Sequence, residues 1–102
     1  MSDNRRAQTR YTVNIEADLS ADGTSHGCYV TNLSLGGCQL TVEQRVPIGT
    51  RVSLSFRIAT HDKPIVVGGS VRWSSDLAAG VQFDGLRAKE VWSLNKFFES
   101  LP

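Results

Sequence analysis

The chain has 102 residues, 40% of them apolar and 21% charged, with a net charge of +1. That is one globular domain with a modest core, neither a disordered chain nor a polyelectrolyte, so any preference for anions must be local. Its two cysteines, Cys28 and Cys38, the absence of a signal-peptide pattern, and the lack of any apolar run near the roughly 18 residues of a membrane span predict a reduced cytosolic protein.

Residues 1–10 are polar and charged without periodicity, which predicts a flexible arm carrying Arg5, Arg6 and Arg10. A first strand follows. Tyr11, Val13, Ile15, Ala17 and Leu19 alternate with polar residues as far as Ser20, the mark of a strand with one buried and one wet face. Asp22-Gly23 is a hairpin signal. A second, less regular strand runs from His26 to Leu33 and ends in the turn-rich stretch Asn32-Leu33-Ser34-Leu35-Gly36-Gly37. Cys38, Leu40 and Val42 mark a third strand, and Pro47-Ile48-Gly49 punctuates the loop after it. Val52, Leu54, Phe56 and Ile58 alternate in a fourth. A polar turn from Thr60 to Pro64 leads to a fifth, Ile65 to Trp73, interrupted by Gly68-Gly69, where a bulge or bend is expected. Ala79, Val81 and Phe83 form a short sixth strand.

The period then changes. Val91, Leu94, Phe98 and Leu101 recur at helical spacing with Phe97 beside them, which predicts one amphipathic helix over roughly residues 87–100. Its apolar stripe has to bury, most simply on the sheet. Six short strands with frequent turns predict a mainly β fold: a small six-stranded antiparallel barrel over residues 11–102 with one C-terminal helix. Closure into a barrel also removes exposed sheet edges.

Two clusters carry chemistry. The central turn offers Asn32 and Ser34, whose side chains bond nearby backbone, and Gly36-Gly37, expected to supply positive φ and close approach to the backbone. The arginine cluster before the first strand adds planar cations. Together they suggest a site for something anionic and flat. Other chemistries find little support. His26, Cys28, Cys38 and His61 lack a zinc-ligand spacing. Leu33-Ser34-Leu35 lacks the glycines of a nucleophile elbow. A net charge of +1 argues against a long nucleic-acid track. Trp92 and Phe97 could meet a partner protein from the helix, although Phe97 is better suited to the core.

These residues resemble the PilZ domain, a bacterial receptor for cyclic di-GMP. The family's Arg, three residues, Arg pattern is matched by Arg6 to Arg10, and its Asp-or-Asn, one residue, Ser, two residues, Gly pattern by Asn32 to Gly37. Asn32 stands where Asp is commoner. Pro47-Ile48-Gly49, Gly69-Ser70-Val71 and Gly80-Val81-Gln82-Phe83 match further, so the likeness covers nearly the whole chain. The resemblance implies a receptor, not an enzyme, with cyclic di-GMP as ligand and no cofactor. It assigns Arg6 and Arg10 to guanine and phosphate, Asn32 and Ser34 to hydrogen bonds on a guanine and nearby backbone, and Gly37 to close approach. It also places Trp73 near the ligand, while its position in a strand suits the barrel core equally. An arginine at Arg5, directly before the motif, implies two stacked ligands per chain. On this reading the arm is expected to close over the ligand and relay the signal to an unidentified downstream protein, and the charge and hydropathy of the chain predict no nucleic acid polymer and no membrane as partner. The alternative is a PilZ-fold adaptor that binds proteins without nucleotide.

Overall fold

The computed structural model describes residues 9–102. Six strands, β1 (Tyr11–Ala21), β2 (Thr24–Leu33), β3 (Gly37–Thr41), β4 (Arg51–Phe56), β5 (Ile65–Ser74) and β6 (Ala78–Phe83), precede one helix, α1 (Ala88–Glu99). The strands close into a barrel in the order β1-β2-β3-β6-β5-β4, and every neighbouring pair is antiparallel.

Alternation builds this wall. Along β1, Ala17 and Leu19 are buried, while Tyr11, Val13 and Ile15 pack partly against the core. Val52, Leu54 and Phe56 of β4 and Ile65, Val67 and Val71 of β5 complete the interior from the far side. Leu33, Leu40, Leu54, Ile65 and Leu94 are among its fully buried side chains, each worth roughly 1.5–3 kcal/mol when removed from water. Asp22 and Gly23 take φ of 52° and 79° between the paired Ala21 and Thr24, as a two-residue hairpin turn requires. β2 therefore starts at Thr24 rather than His26. Its first four residues are exposed and carry no alternation to announce them.

α1 lies on the barrel through Leu94 and Phe98, which are buried, and Phe97, which is partly so. The Phe98 ring stacks on Tyr11 with centroids 4.1 Å apart. The loop after β4 is tied to the same helix: the Thr60 hydroxyl donates to the Ser93 carbonyl at 2.6 Å, and His61 Nδ1 meets Ser93 Oγ at 2.7 Å. Glu90 accepts the Arg87 backbone N–H at 2.9 Å and caps the helix start. Trp92 points the other way and is 61% exposed, with the Lys96 ammonium over its ring.

Gly68 and Gly69, expected to mark a bulge, sit in regular pairing with Ser53 and Val52. The breaks in register lie elsewhere: between Thr12 and Ile15, between Val30 and Asn32, and between Val71 and Trp73. No described helix is long and apolar enough to cross a membrane.

Candidate functional site

The register breaks in β2 and β5 shape a cavity on the outer wall. In β2, Val30 faces Leu40 and Asn32 faces Gln39, so Thr31 is the extra residue. Val30 and Leu33 are both fully buried, and the half-buried Asn32 between them lines the cavity. In β5, Val71 faces Val81 and Trp73 faces Gly80, which leaves Arg72 unpaired in the ladder. Strict alternation would carry Trp73 inside with Val71. Instead Val71 is 1% exposed and Trp73 40%. A bulge re-aims side chains in this way, and here it turns both Arg72 and Trp73 onto the cavity wall. The barrel-core placement that suited Trp73 from sequence is thereby overturned.

Gly80 explains how the indole is held. A Cβ built on Gly80 would fall inside the Trp73 ring, overlapping Nε1 and lying 2.5 Å from Cδ1. Only a glycine lets the ring settle on the neighbouring strand. Trp73 thus forms a partly exposed plate with one side against β6.

The turn between β2 and β3 is fixed by Ser34. Its backbone N–H and its hydroxyl both donate to the Gly37 carbonyl, at 2.9 and 3.2 Å. The hydroxyl oxygen accepts the N–H groups of Gly36 and Gly37, each at 3.2 Å. A serine hydroxyl has one donor and two lone pairs, so all three are used inside the turn, and the residue is 5% exposed. The Gly36 carbonyl then accepts the Phe83 N–H at 2.9 Å and ties the turn to β6. Positive φ, expected at Gly36-Gly37, occurs among the described glycines at Gly23, Gly49 and Gly85 instead. What Gly37 provides is closeness: a Cβ there would collide with the Val81 carbonyl oxygen.

The cavity has a volume of about 720 Å³. Arg10, Asn32, Ser34, Gly36, Gly37 and Trp73, all singled out from sequence, line it. Arg5 and Arg6 lie outside the described residues. Arg72 and Gln82 also line the cavity and were not foreseen as site residues. Gln82 follows from the alternation of Val81, Gln82 and Phe83, whereas Arg72 depends on a bulge that no residue type announces. Among the described residues no Asp or Glu lines the cavity. The side chains of Arg10, Asn32, Arg72 and Gln82 make no hydrogen bond or ion pair among the described residues. The two acidic groups close in sequence to the lining residues are both engaged: Asp76 pairs with Arg45, and Asp84 with Arg51, which holds its carboxyl below the usual range.

The cysteines take no part in such chemistry. Burial, assisted by Asp18, pushes the Cys28 thiol up to about 11, and burial, assisted by Cys28, pushes Cys38 up to about 12. Both remain protonated, unbridged core side chains near neutrality. Among the described residues no group of three or more His, Cys, Asp or Glu could hold a metal ion.

A closed barrel with an arginine-bearing cavity on its wall, without acidic lining among the described residues, and an aromatic plate beside it has the makings of a small-ligand binding domain for planar anions. Comparison with known proteins gives the family. The PilZ domain model matches residues 4–99, and the chain belongs to that family. No curated protein matches it. Among solved structures it is similar to the Bacillus subtilis inhibitor of motility MotI/DgrA, with a TM-score of 0.75 at 13% identity, covering 96% of this chain and 54% of that one. It is also similar to the Borreliella burgdorferi PlzA protein in complex with c-di-GMP, with a TM-score of 0.72 at 19% identity, covering 93% of this chain and 41% of that one. The PilZ domain of Escherichia coli YcgR with c-di-GMP has a TM-score of 0.70 at 14% identity, covering 93% and 90%. At these identities the likeness is one of fold, and the chain spans about half or less of the first two proteins.

Proposed function

We propose that this chain is a cytosolic, non-enzymatic receptor for cyclic di-GMP, which it binds on the outer wall of its barrel. The observation that carries the reading is the convergence of Arg10, Asn32, the Ser34 turn, Gly37 and Trp73 on one cavity in a PilZ-family chain. Two structural relatives, PlzA and YcgR, are described with c-di-GMP bound. The chemistry agrees. A guanine edge offers O6 and N7 acceptors to an arginine fork, phosphodiesters attract the same cations, and a base can stack on an indole. Asn32, with its amide unspent, meets a guanine. Ser34 acts through the turn it holds. No step here requires a bond to break, and no cofactor is called for.

In this reading residues 1–10 form an arm and residues 11–102 the receptor barrel. Arg5, Arg6 and Arg10 close over ligand resting against the Asn32–Gly37 turn and Trp73, and the altered surface is read by a downstream protein. Arg5 supplies a third guanidinium, and two stacked ligands, with four phosphate charges to neutralise, bind per chain. Calorimetric titration with cyclic di-GMP at known active protein concentration tests both points. The expected plateau is two ligands per chain, shifting toward one in Arg5→Leu. A plateau at one for the parent removes the stacked pair. No binding at all leaves the family's fold serving as a protein adaptor without nucleotide.

A further inference from the structure

We infer that Arg72 is a ligand-binding residue: a guanidinium on the rigid barrel wall that takes a phosphodiester of the bound nucleotide from the flank opposite Arg10. The inference rests on the cyclic di-GMP reading and extends it to a residue outside both family motifs.

Four observations carry it. Arg72 is the extra residue of the β5 bulge, placed beyond Val71↔Val81 and before Trp73↔Gly80. Without that bulge the β5 alternation would leave one outward residue here rather than the adjacent pair Arg72 and Trp73. Its side chain lines the same cavity as Arg10 and the Asn32–Gly37 turn. In the barrel order, Arg10 precedes β1 and Arg72 lies on β5, with β2, β3 and β6 between them, so the two cations flank the cavity. Finally, among the described residues Arg72 has no hydrogen-bond or ion-pair partner, and none that lines the cavity carries a carboxylate to neutralise it.

The contrast with Arg51 is informative. Arg51 lies on the neighbouring β4, reaches across to Ser70 on β5, and is paired with Asp84. It is committed to structure. Arg72, one bulge away, is left uncommitted beside an exposed indole. A base resting on Trp73 would bring its attached phosphate within the reach of the adjacent side chain, and guanidinium pairs with phosphate through two parallel hydrogen bonds.

The experiment is titration of the full chain with cyclic di-GMP over a range of salt concentrations, for the parent, Arg72→Ala, Arg72→Lys and Arg10→Ala, each with a melting curve. Arg72→Ala should lose tenfold or more in affinity with its melting temperature unchanged, because no partner among the described residues is lost. The slope of log affinity against log salt should become shallower, because one screened guanidinium–phosphate attraction is removed. Arg72→Lys, which keeps the charge, should keep the salt slope and recover part of the affinity. Parent-like binding by Arg72→Ala overturns the inference while parent binding and its loss in Arg10→Ala uphold the receptor reading. Reduced affinity with an unchanged salt slope overturns the phosphate assignment. If the parent itself does not bind, the receptor reading falls and this inference falls with it.

Discussion

The seat of Trp73 offers the sharpest test of how the site works, through Gly80→Ala. The added methyl would lie within the indole, 2.5 Å from Cδ1 and 2.6 Å from Cε2, well inside any tolerated carbon contact. The ring must leave its place. Because Trp73 is 40% exposed, it can swing into solvent instead of forcing the strands apart. The cost to the fold is therefore expected to be below the roughly 1–3 kcal/mol of a core overpacking. It is partly offset by the roughly 0.5–1 kcal/mol gained when a strand glycine becomes alanine. Binding should suffer more. Stacking of a base on an aromatic side chain is worth about 1–3 kcal/mol, so affinity for cyclic di-GMP should fall by about 5- to 150-fold. The assay is calorimetry alongside indole fluorescence in a Trp92→Phe background, which leaves Trp73 as the sole indole. The expected result is a shifted emission, a nearly unchanged melting temperature and weakened binding. Unchanged emission would refute the seating of the ring on Gly80. Shifted emission with full affinity would refute contact between Trp73 and the ligand.

Other perturbations separate the roles of the remaining residues. Arg6→Ala and Arg10→Ala should each cost about 1–3 kcal/mol of cyclic di-GMP binding, measured by titration, with no change in melting temperature. Ser34→Ala removes a hydroxyl that makes three hydrogen bonds within its turn, so it should lower stability by about 1–3 kcal/mol in denaturant unfolding and weaken binding through the turn. Asn32→Ala, which breaks no such bond, should weaken binding by about 1–2 kcal/mol and leave the unfolding curve alone. The thiols give a pH signature. The unfolded chain ionises Cys28 and Cys38 from about 9, whereas the fold holds them protonated to about 11 and 12. Stability should thus be constant with respect to these groups below pH 9 and decline as pH rises from there, and a Cys28→Ala, Cys38→Ala double variant should show a shallower alkaline loss.

Much of this structure was legible in the residues, and the limits of that legibility have physical causes. The alternation of β1 from Tyr11 to Leu19 named the buried face correctly because a half-wet strand repeats every second residue. Asp22-Gly23 gave the hairpin because few residue pairs tolerate two positive φ angles. The helix stripe of Leu94 and Phe98 followed from its period. Bulges have no such mark. They depend on how two strands slip past each other, and a sequence shows each strand alone. Hence Gly68-Gly69 was expected to mark a bulge and pairs regularly with β4, while Val71-Arg72-Trp73 looks regular and is not. Gly36-Gly37 was expected to supply positive φ, which Gly37 does not adopt, and Gly37 was also expected to allow a ligand close approach. Its true constraint, the Val81 carbonyl, belongs to a strand more than forty residues away in sequence.

Those slips in register reconcile two demands that a small closed barrel sets against each other. Strict alternation spends every second residue on the core and leaves the outer wall with isolated side chains, evenly spaced and each aligned with its own strand. That arrangement suits solvation, but it does not gather several groups around one ligand. At Val30–Asn32 the slip keeps Val30 and Leu33 both inside and sets Asn32 at the cavity. At Val71–Trp73 it keeps Val71 inside and delivers a cation and an aromatic plate side by side. The third break, between Thr12 and Ile15, lies on β1 opposite this same part of β2, a few residues after Arg10. The strand β4, which supplies no lining residue, pairs with both its neighbours without a break. The irregularities thus gather on the side of the barrel where ligand chemistry is concentrated, and the regular strands opposite supply the closure that holds them in place.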